Sequence, residues 1–252
     1  VSEAVVQVAD LTKQFDGVQA VDGISFDVSA GETVALLGAN GAGKTSTLAM
    51  LLGLLLPTAG TIRVLGIDVV RERERALARV NFSSPYVELP RRLTVMQNLH
   101  VFAKLYGVAR PRERARAIAA DLDLEALLRR RVGSLSSGQK TRVALAKALI
   151  NAPDVLFLDE PTASLDPDTG DWVRGYLEAY QHRTGCAILL ASHNMGEVER
   201  LCHRVLMMRK GRIVDEGTPQ ALITRYGRAT MEEVFLDVAR GRGHDGTTEA
   251  AQ

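Results

Sequence analysis

Gly38-Ala39-Asn40-Gly41-Ala42-Gly43-Lys44-Thr45 decides how the rest of the chain is read. It fits the phosphate-binding loop pattern, a glycine, four residues, then Gly-Lys-Thr. Glycines let the backbone turn tightly and approach a ligand with no Cβ in the way. Successive backbone N–H groups then point inward at phosphate oxygens. Lys44 brings a point charge to the β- and γ-phosphates, and the Thr45 hydroxyl is placed to ligate Mg²⁺. The flanks agree with this reading. Thr33-Val34-Ala35-Leu36-Leu37 is a short apolar run before the loop, and Ser46 to Leu56 is rich in helix formers after it. Strand, loop, helix is what phosphate binding at a helix N-terminus requires.

Two further strands end in reactive side chains. Asp154-Val155-Leu156-Phe157-Leu158-Asp159-Glu160 holds four consecutive apolar residues, as in a strand buried on both faces. Its two acids lie at the C-terminal end, where open α/β sheets place their ligands. Acids beside a buried strand need a cation or hydrogen bonds to compensate them, and Mg²⁺ is the economical candidate. Cys186 to Ala191 is a third strand of this kind, ending in Ser192-His193. Alone, His193 reads as a structural histidine; its place at a third strand end makes it a catalytic candidate.

Leu135-Ser136-Ser137-Gly138-Gln139 opens a helix with Val143, Ala146, Leu149 and Ile150 on one face. Ser136 is placed as its N-cap. The N–H groups of Ser137, Gly138 and Gln139 would cluster at the positive helix end. Two readings stand side by side, a second anion site and plain helix capping. Phe15 is likewise open between a core position and an exposed ring that stacks on a flat base.

The remaining sequence sets bounds. The 252 residues suit one large domain or a domain with a subdomain. A hydrophobic fraction of 46%, a charged fraction of 24% and a net charge of +1 fit a globular protein without a general nucleic-acid surface. Cys186 and Cys202 read as buried thiols. Val1 to Asp10 does not read as a signal peptide, and the apolar run Leu48 to Leu56 is too short to span a bilayer. Ala4 to Ala9 and Ile24 to Val28 read as strands, the second half-exposed and antiparallel. Thr94 to Arg131 turns helical, with Val95, Leu99, Phe102 and Leu105 at helical spacing and Pro111 opening a second helix. Its arginines (110, 112, 114, 116 and 129 to 131) read as a charged outer surface. Val205 to Met208 and Arg212 to Val214 form a hairpin, two helices follow, and residues 239–252 read as a disordered tail.

In their order these motifs resemble the ATP-binding subunits of ABC transporters, from about Val5 to Val238. Leu-Ser-Ser-Gly-Gln at 135 to 139 ahead of the Asp159-Glu160 strand is the most specific part. The resemblance implies an α/β fold, a P-loop NTPase core with a mixed sheet, an N-terminal antiparallel β-subdomain and a helical subdomain inserted at about 94–135. It implies an ATPase. Phe15 then stacks on adenine, Gly38 to Thr45 with Ser46 holds the phosphates, and Asp159 holds Mg²⁺. Glu160 orients the attacking water, and His193 contacts the γ-phosphate. Ser164 to Asp166 lies at a dimer seam, where Ser136, Ser137, Gly138 and Gln139 of one chain meet the nucleotide of the other. The implied partners are a second ATP-binding subunit and a membrane permease, of exporter type, with the chain on the cytoplasmic face. A soluble relative acting on ribosomes or DNA is the rival. It is disfavoured because the chain carries neither a second ATP-binding domain nor a coiled-coil or zinc-bearing insert. Two positions depart from the family. Ser137 stands where a second glycine is usual, and no glutamine follows Val80 to Phe82, Ser84 or Pro85 taking that place. Slower or differently coupled hydrolysis is the expectation from the second departure.

Overall fold

The computed structural model describes residues 4–84, 88–163 and 165–241. The strands are β1 (Ala4–Phe15), β2 (Val18–Ser29), β3 (Thr33–Leu37), β4 (Ala59–Val64), β5 (Ile67–Asp68), β6 (Val80–Ser83), β7 (Val155–Asp159), β8 (Ala187–Ser192), β9 (Arg204–Arg209) and β10 (Arg212–Gly217). The α-helices are α1 (Lys44–Leu51), α2 (Arg73–Leu77), α3 (Val95–Leu105), α4 (Pro111–Asp121), α5 (Ser137–Ala148), α6 (Pro167–Thr184), α7 (Met195–Leu201), α8 (Pro219–Tyr226) and α9 (Met231–Ala239).

Two sheets result. β2-β1-β4-β5 is antiparallel, and β10-β9-β3-β8-β7-β6 is mixed, parallel throughout except for the β10–β9 hairpin. Period-2 alternation divides the large sheet's side chains between two cores. Val34, Leu36, Val155, Phe157 and Leu189 face the antiparallel sheet, where they meet Val6, Val8, Ile24 and Ile62. Ala35, Leu37, Leu156, Leu158 and Leu190 face the helices, including Leu99, Ile118, Val143 and Val173. Coverage on both sides is why β3, β7 and β8 are continuous apolar runs.

Between β6 and α5 the chain makes α3, α4 and two 3₁₀ turns. The base of this helical insert is closed by Val95 N–H donating to Arg130 O at 3.0 Å and by a bridge between Thr94 and Arg131. A capping box, Thr94 with Gln97, starts α3. Leu105 fits the apolar spacing of α3 yet is 74% exposed, while Val95 and Leu99 are buried.

Several boundaries differ from the sequence expectation. β1 continues to Phe15, passing Asp10 at φ 50° with a register shift against β2. The helix after the loop starts at Lys44 and stops at Leu51, and Gly53 turns away at φ 60°. Cys186 precedes β8, which begins at Ala187. Both cysteines are free and buried, as expected. Among the described residues no helix is long and apolar enough to cross a membrane. Pro85, Tyr86, Ser164 and residues 242–252 of the expected tail lie outside the described residues, whereas Ala239, expected in that tail, is the last residue of α9.

Candidate functional site

Strand order brings the predicted residues to one edge. β3, β8, β7 and β6 are consecutive neighbours, with Leu37 opposite Ser192, Ala191 opposite Asp159 and Leu158 opposite Ser83. The segments leaving these strands are the glycine loop, His193, Glu160 and Ser84, in that order along the sheet. A ligand at the carboxyl ends of parallel strands meets all four.

The loop is shaped by its glycines. A Cβ on Gly38 would stand 2.5 Å from Met208 O and 2.8 Å from Ala42 Cβ, so only glycine fits between β9 and the loop. Gly43, the N-cap of α1, sits at φ 108° with Ala20 O 2.6 Å from where a Cβ would be. Ala39, Asn40, Gly41 and Thr45 are exposed, and Ala42 packs inward. The Lys44 ammonium curls back onto the Gly38 carbonyl and lies 3.2 Å from Ala39 O. Burial pushes the Lys44 ammonium down, and the charges of Glu160 and Asp159 push it back up. Lys44 therefore shares one electrostatic field with both acids. The Thr45 hydroxyl makes no hydrogen bond among the described residues, whereas Thr47 Oγ1 donates to Gly43 O at 2.9 Å.

Burial raises the Asp159 carboxyl, and the Glu160 charge raises it further. A hydrogen bond from Ser84 and the Lys44 charge oppose them. The Ser84 Oγ stands 3.3 Å from Asp159 Oδ2. Ser84 is one of the two residues, with Pro85, that could take the place of the missing glutamine, and it touches the acid expected to bind metal. Asp159 and the exposed Thr45 hydroxyl are hard oxygen donors, the set Mg²⁺ takes.

Glu160 has φ 49°, a left-handed conformation that costs a residue with a Cβ about 1–3 kcal/mol. Its N–H donates to Ala191 O at 2.8 Å, and its Oε1 lies 2.6 Å from His193 Nδ1. The Glu160 side chain is 13% exposed and that of His193 66%, so the histidine reaches outward from the acid. Behind them Glu197, at the start of α7, is fully buried, and neither of its carboxylate oxygens has a well-aligned hydrogen bond among the described residues. Burial pushes its carboxyl up, although nearby Ser192 and Thr162 pull the other way.

Phe15 is 43% exposed, which settles the choice left open above in favour of a surface ring, and the Lys13 ammonium lies 4.8 Å from its centroid.

Ser136 caps α5 through a full capping box. Its Oγ accepts from Gln139 N at 3.3 Å, and Gln139 Oε1 accepts from Ser136 N at 3.1 Å. The Gln139 N–H is thereby engaged, leaving Ser137 and Gly138 as the outward donors. Gly138 packs on Thr169, whose Oγ1 is 3.0 Å from a built Cβ, and Thr169 donates to Asp166 from its N–H (2.9 Å) and its Oγ1 (2.8 Å). Asp166 is thus the N-cap of α6. Among the described residues no hydrogen bond or ion pair joins Ser136 to Gln139 or Asp166 with Lys44, Asp159 or Glu160. The predicted residues fall into two groups on this one chain.

Sequence reasoning gave no role to Thr169 or Lys147. Lys147 carried a usable signal, because it stands four residues after Val143 in the buried stripe of α5.

Comparison with known proteins gives the family. The family model described as "ABC transporter" matches residues 21–163. The Nod factor export ATP-binding protein I of Paraburkholderia xenovorans is 42% identical over 235 residues, covering 92% of this chain and 77% of its own length. A structure described as the ATP binding subunit of an ABC transporter superposes with a TM-score of 0.84 at 26% identity, covering 93% of this chain and 99% of that one. The cbiO1 protein of Clostridium perfringens, described as part of the ABC transporter complex cbiONQ, gives 0.80 at 29% identity, covering 88% and 92%. With its glycine loop, paired acids and histidine on one sheet edge, the chain belongs to the ABC transporter family as an ATP-binding subunit that hydrolyses ATP.

Proposed function

We propose that residues 1–238 form one of two ATP-binding subunits that work as a head-to-tail pair on the cytoplasmic face of a membrane, beneath a separate permease, and that their closure on ATP and Mg²⁺ drives export. The observation that carries the reading is the division of the site. One chain offers two helix ends suited to phosphate, α1 and α5, and of the two α1 follows the strand beside those that carry the acids and the histidine. A second chain placing its α5 over the first chain's nucleotide makes both ends useful.

In this reading Gly38 to Ser46 hold the triphosphate, Phe15 stacks on the base and Lys44 stabilises charge at the γ-phosphate. Thr45 and Asp159 would hold Mg²⁺, which would supply positive charge to offset that of the phosphates. Glu160 accepts a hydrogen bond from the attacking water and aligns it, and His193 steadies Glu160 and reaches the γ-phosphate. Ser136, Ser137 and Gly138 of the partner complete the phosphate shell, with Asp166 at the seam holding the two helix ends together through Thr169. Export follows the relatives' names. Work within a larger complex is in keeping with cbiO1, described as part of an ABC transporter complex. Val101 and Leu105 of α3, both exposed, are the apolar surface that faces the permease. No nucleic acid partner is called for.

The test is ATP-dependent dimerisation of Glu160→Gln, followed by light scattering. Dimer with ATP and Mg²⁺ but monomer with ADP supports the pair. A monomer that binds ATP normally contradicts self-pairing.

A further inference from the structure

The far end of α5 rests against the edge strand of the large sheet, and a lysine makes the contact. Lys147 Nζ donates to Phe82 O at 2.8 Å and to Asn81 Oδ1 at 3.1 Å, both on β6. The same ammonium lies 5.5 Å from the ring centroid of Phe102 on α3. Asn81 is buried and answers with its amide, which donates to Asn151 Oδ1 at 2.8 Å and to Lys147 O at 3.3 Å. The Tyr106 hydroxyl at the end of α3 donates to Asn81 Oδ1 at 3.2 Å. Three elements of different origin, β6 of the sheet, α3 of the insert and α5, therefore meet at one ammonium.

Both ends of this junction lead to the site. α5 is a rigid rod with the Ser136 cap at its other end. β6 ends at Ser83, one residue before Ser84, whose hydroxyl meets Asp159. We propose that Lys147 is a positioning residue for ATP hydrolysis, a charged strut that fixes α5 to the carboxyl end of β6 and so keeps the Ser136–Gly138 helix end in register with Asp159. The inference rests on the reading of that helix end as a phosphate contact.

A part-buried charge with no acid partner among the described residues is a costly way to pack a helix, and an apolar residue in the stripe would avoid the penalty. Burial pushes the Lys147 ammonium down to about 8. The other titratable and charged groups around the junction sit on its three flanks. Tyr106 on α3 has its hydroxyl pushed up by burial. Arg114 on α4 is engaged with the carbonyls of Leu149 (2.6 Å) and Ile150 (2.9 Å). Arg79 pairs with Asp154 ahead of β7. Lys147 is the group there that changes charge near pH 8. A neutral amine still donates a hydrogen bond but loses the charge assistance and the attraction to Phe102.

The experiment is ATP hydrolysis by the purified chain from about pH 6.5 to about pH 9.5, comparing wild type with Lys147→Arg and Lys147→Met. Arginine keeps its charge throughout. The ratio of wild-type to Lys147→Arg rate should fall about threefold or more, with a midpoint near the titration of a lysine depressed by burial. Lys147→Met should be slow at every pH and lack that midpoint. A flat wild-type to Lys147→Arg ratio overturns the strut, as does a Lys147→Met rate equal to wild type. Should the methionine variant fail to fold, the arginine comparison decides alone. Glu160→Gln dimerisation reports on the phosphate contact separately, since it leaves Lys147 intact. A dimer beside a flat ratio rejects only the strut. A monomer beside a pH-dependent ratio rejects the contact between chains and keeps Lys147 as a positioning residue on the Asp159 side.

Discussion

Glu160 Oε1 and His193 Nδ1 stand 2.6 Å apart, joining the loops that leave β7 and β8. The Glu160 N–H is held by Ala191 O of β8 at 2.8 Å, and the side-chain contact with His193 fixes where the carboxylate points. His193→Ala should lower ATP hydrolysis by about 100-fold or more while nucleotide affinity changes little, because the loss falls on alignment of the water and not on binding. Single-turnover hydrolysis beside equilibrium binding of a fluorescent ATP analogue separates the two. A parallel loss of affinity would place His193 in binding instead.

Ser84 supports Asp159, the acid proposed to hold Mg²⁺. Its hydroxyl favours the charged form of Asp159 against burial, so removing it raises the Asp159 carboxyl further. Ser84→Ala should raise the Mg²⁺ concentration for half-maximal hydrolysis by about fivefold, the equivalent of about 1 kcal/mol for one hydrogen bond to a charged group. Mg²⁺ titrations of the two proteins at fixed ATP measure it. Overlapping curves would remove Ser84 from the site.

Phe15 is an exposed ring at the end of β1. Stacking on an aromatic ring contributes about 1–3 kcal/mol per base. Phe15→Ala should weaken ATP binding by about tenfold, and Phe15→Trp should keep it. Equal affinities for ATP and for inorganic triphosphate in the wild type would deny the ring this role.

Lys147 also predicts a stability trend. Its folded value, about 8, lies below that of an unfolded lysine, so between the two the unfolded chain holds more protons. Stability therefore rises with pH across that window, and the penalty of burying the charge is fully present below it. The penalty is of the order of 3 kcal/mol. Urea unfolding of the wild type minus that of Lys147→Met should show the wild type gaining stability from about pH 8 to about pH 10.5. A difference independent of pH would place the ammonium in water.

Much of the fold was legible because burial on two faces leaves a plain mark. Thr33 to Leu37 and Val155 to Leu158 are uninterrupted apolar runs, and both are central strands. The two loops of conformationally special residues were less legible. β1 extends past Asp10 because a bulge absorbs the break in alternation, and α1 begins inside the glycine loop because its N-cap is itself a glycine at φ 108°. The grouping of Lys44, Asp159, Glu160 and His193 came from the strand-end rule and from family resemblance. The contacts of Ser84 and Lys147 came from neither. The first depends on β6 lying beside β7, a pairing between residues more than seventy positions apart, and the second on α5 packing against β6. A lysine within an apolar stripe was visible in the sequence, but its acceptors were not.

The central claim is that one working site is built from two chains, and subunit mixing tests it most directly. Lys44→Ala removes the phosphate-loop charge. Ser137→Asp places a carboxylate at the exposed first position of α5, where it suits the helix end but repels phosphate. Each variant alone should hydrolyse ATP at a small fraction of the wild-type rate. Mixed in equal amounts, they should recover about a quarter of it, because half of the random dimers carry one site with an intact Lys44 facing an intact Ser137. No recovery on mixing, with both variants folded and binding partners normally, would contradict a site shared between chains.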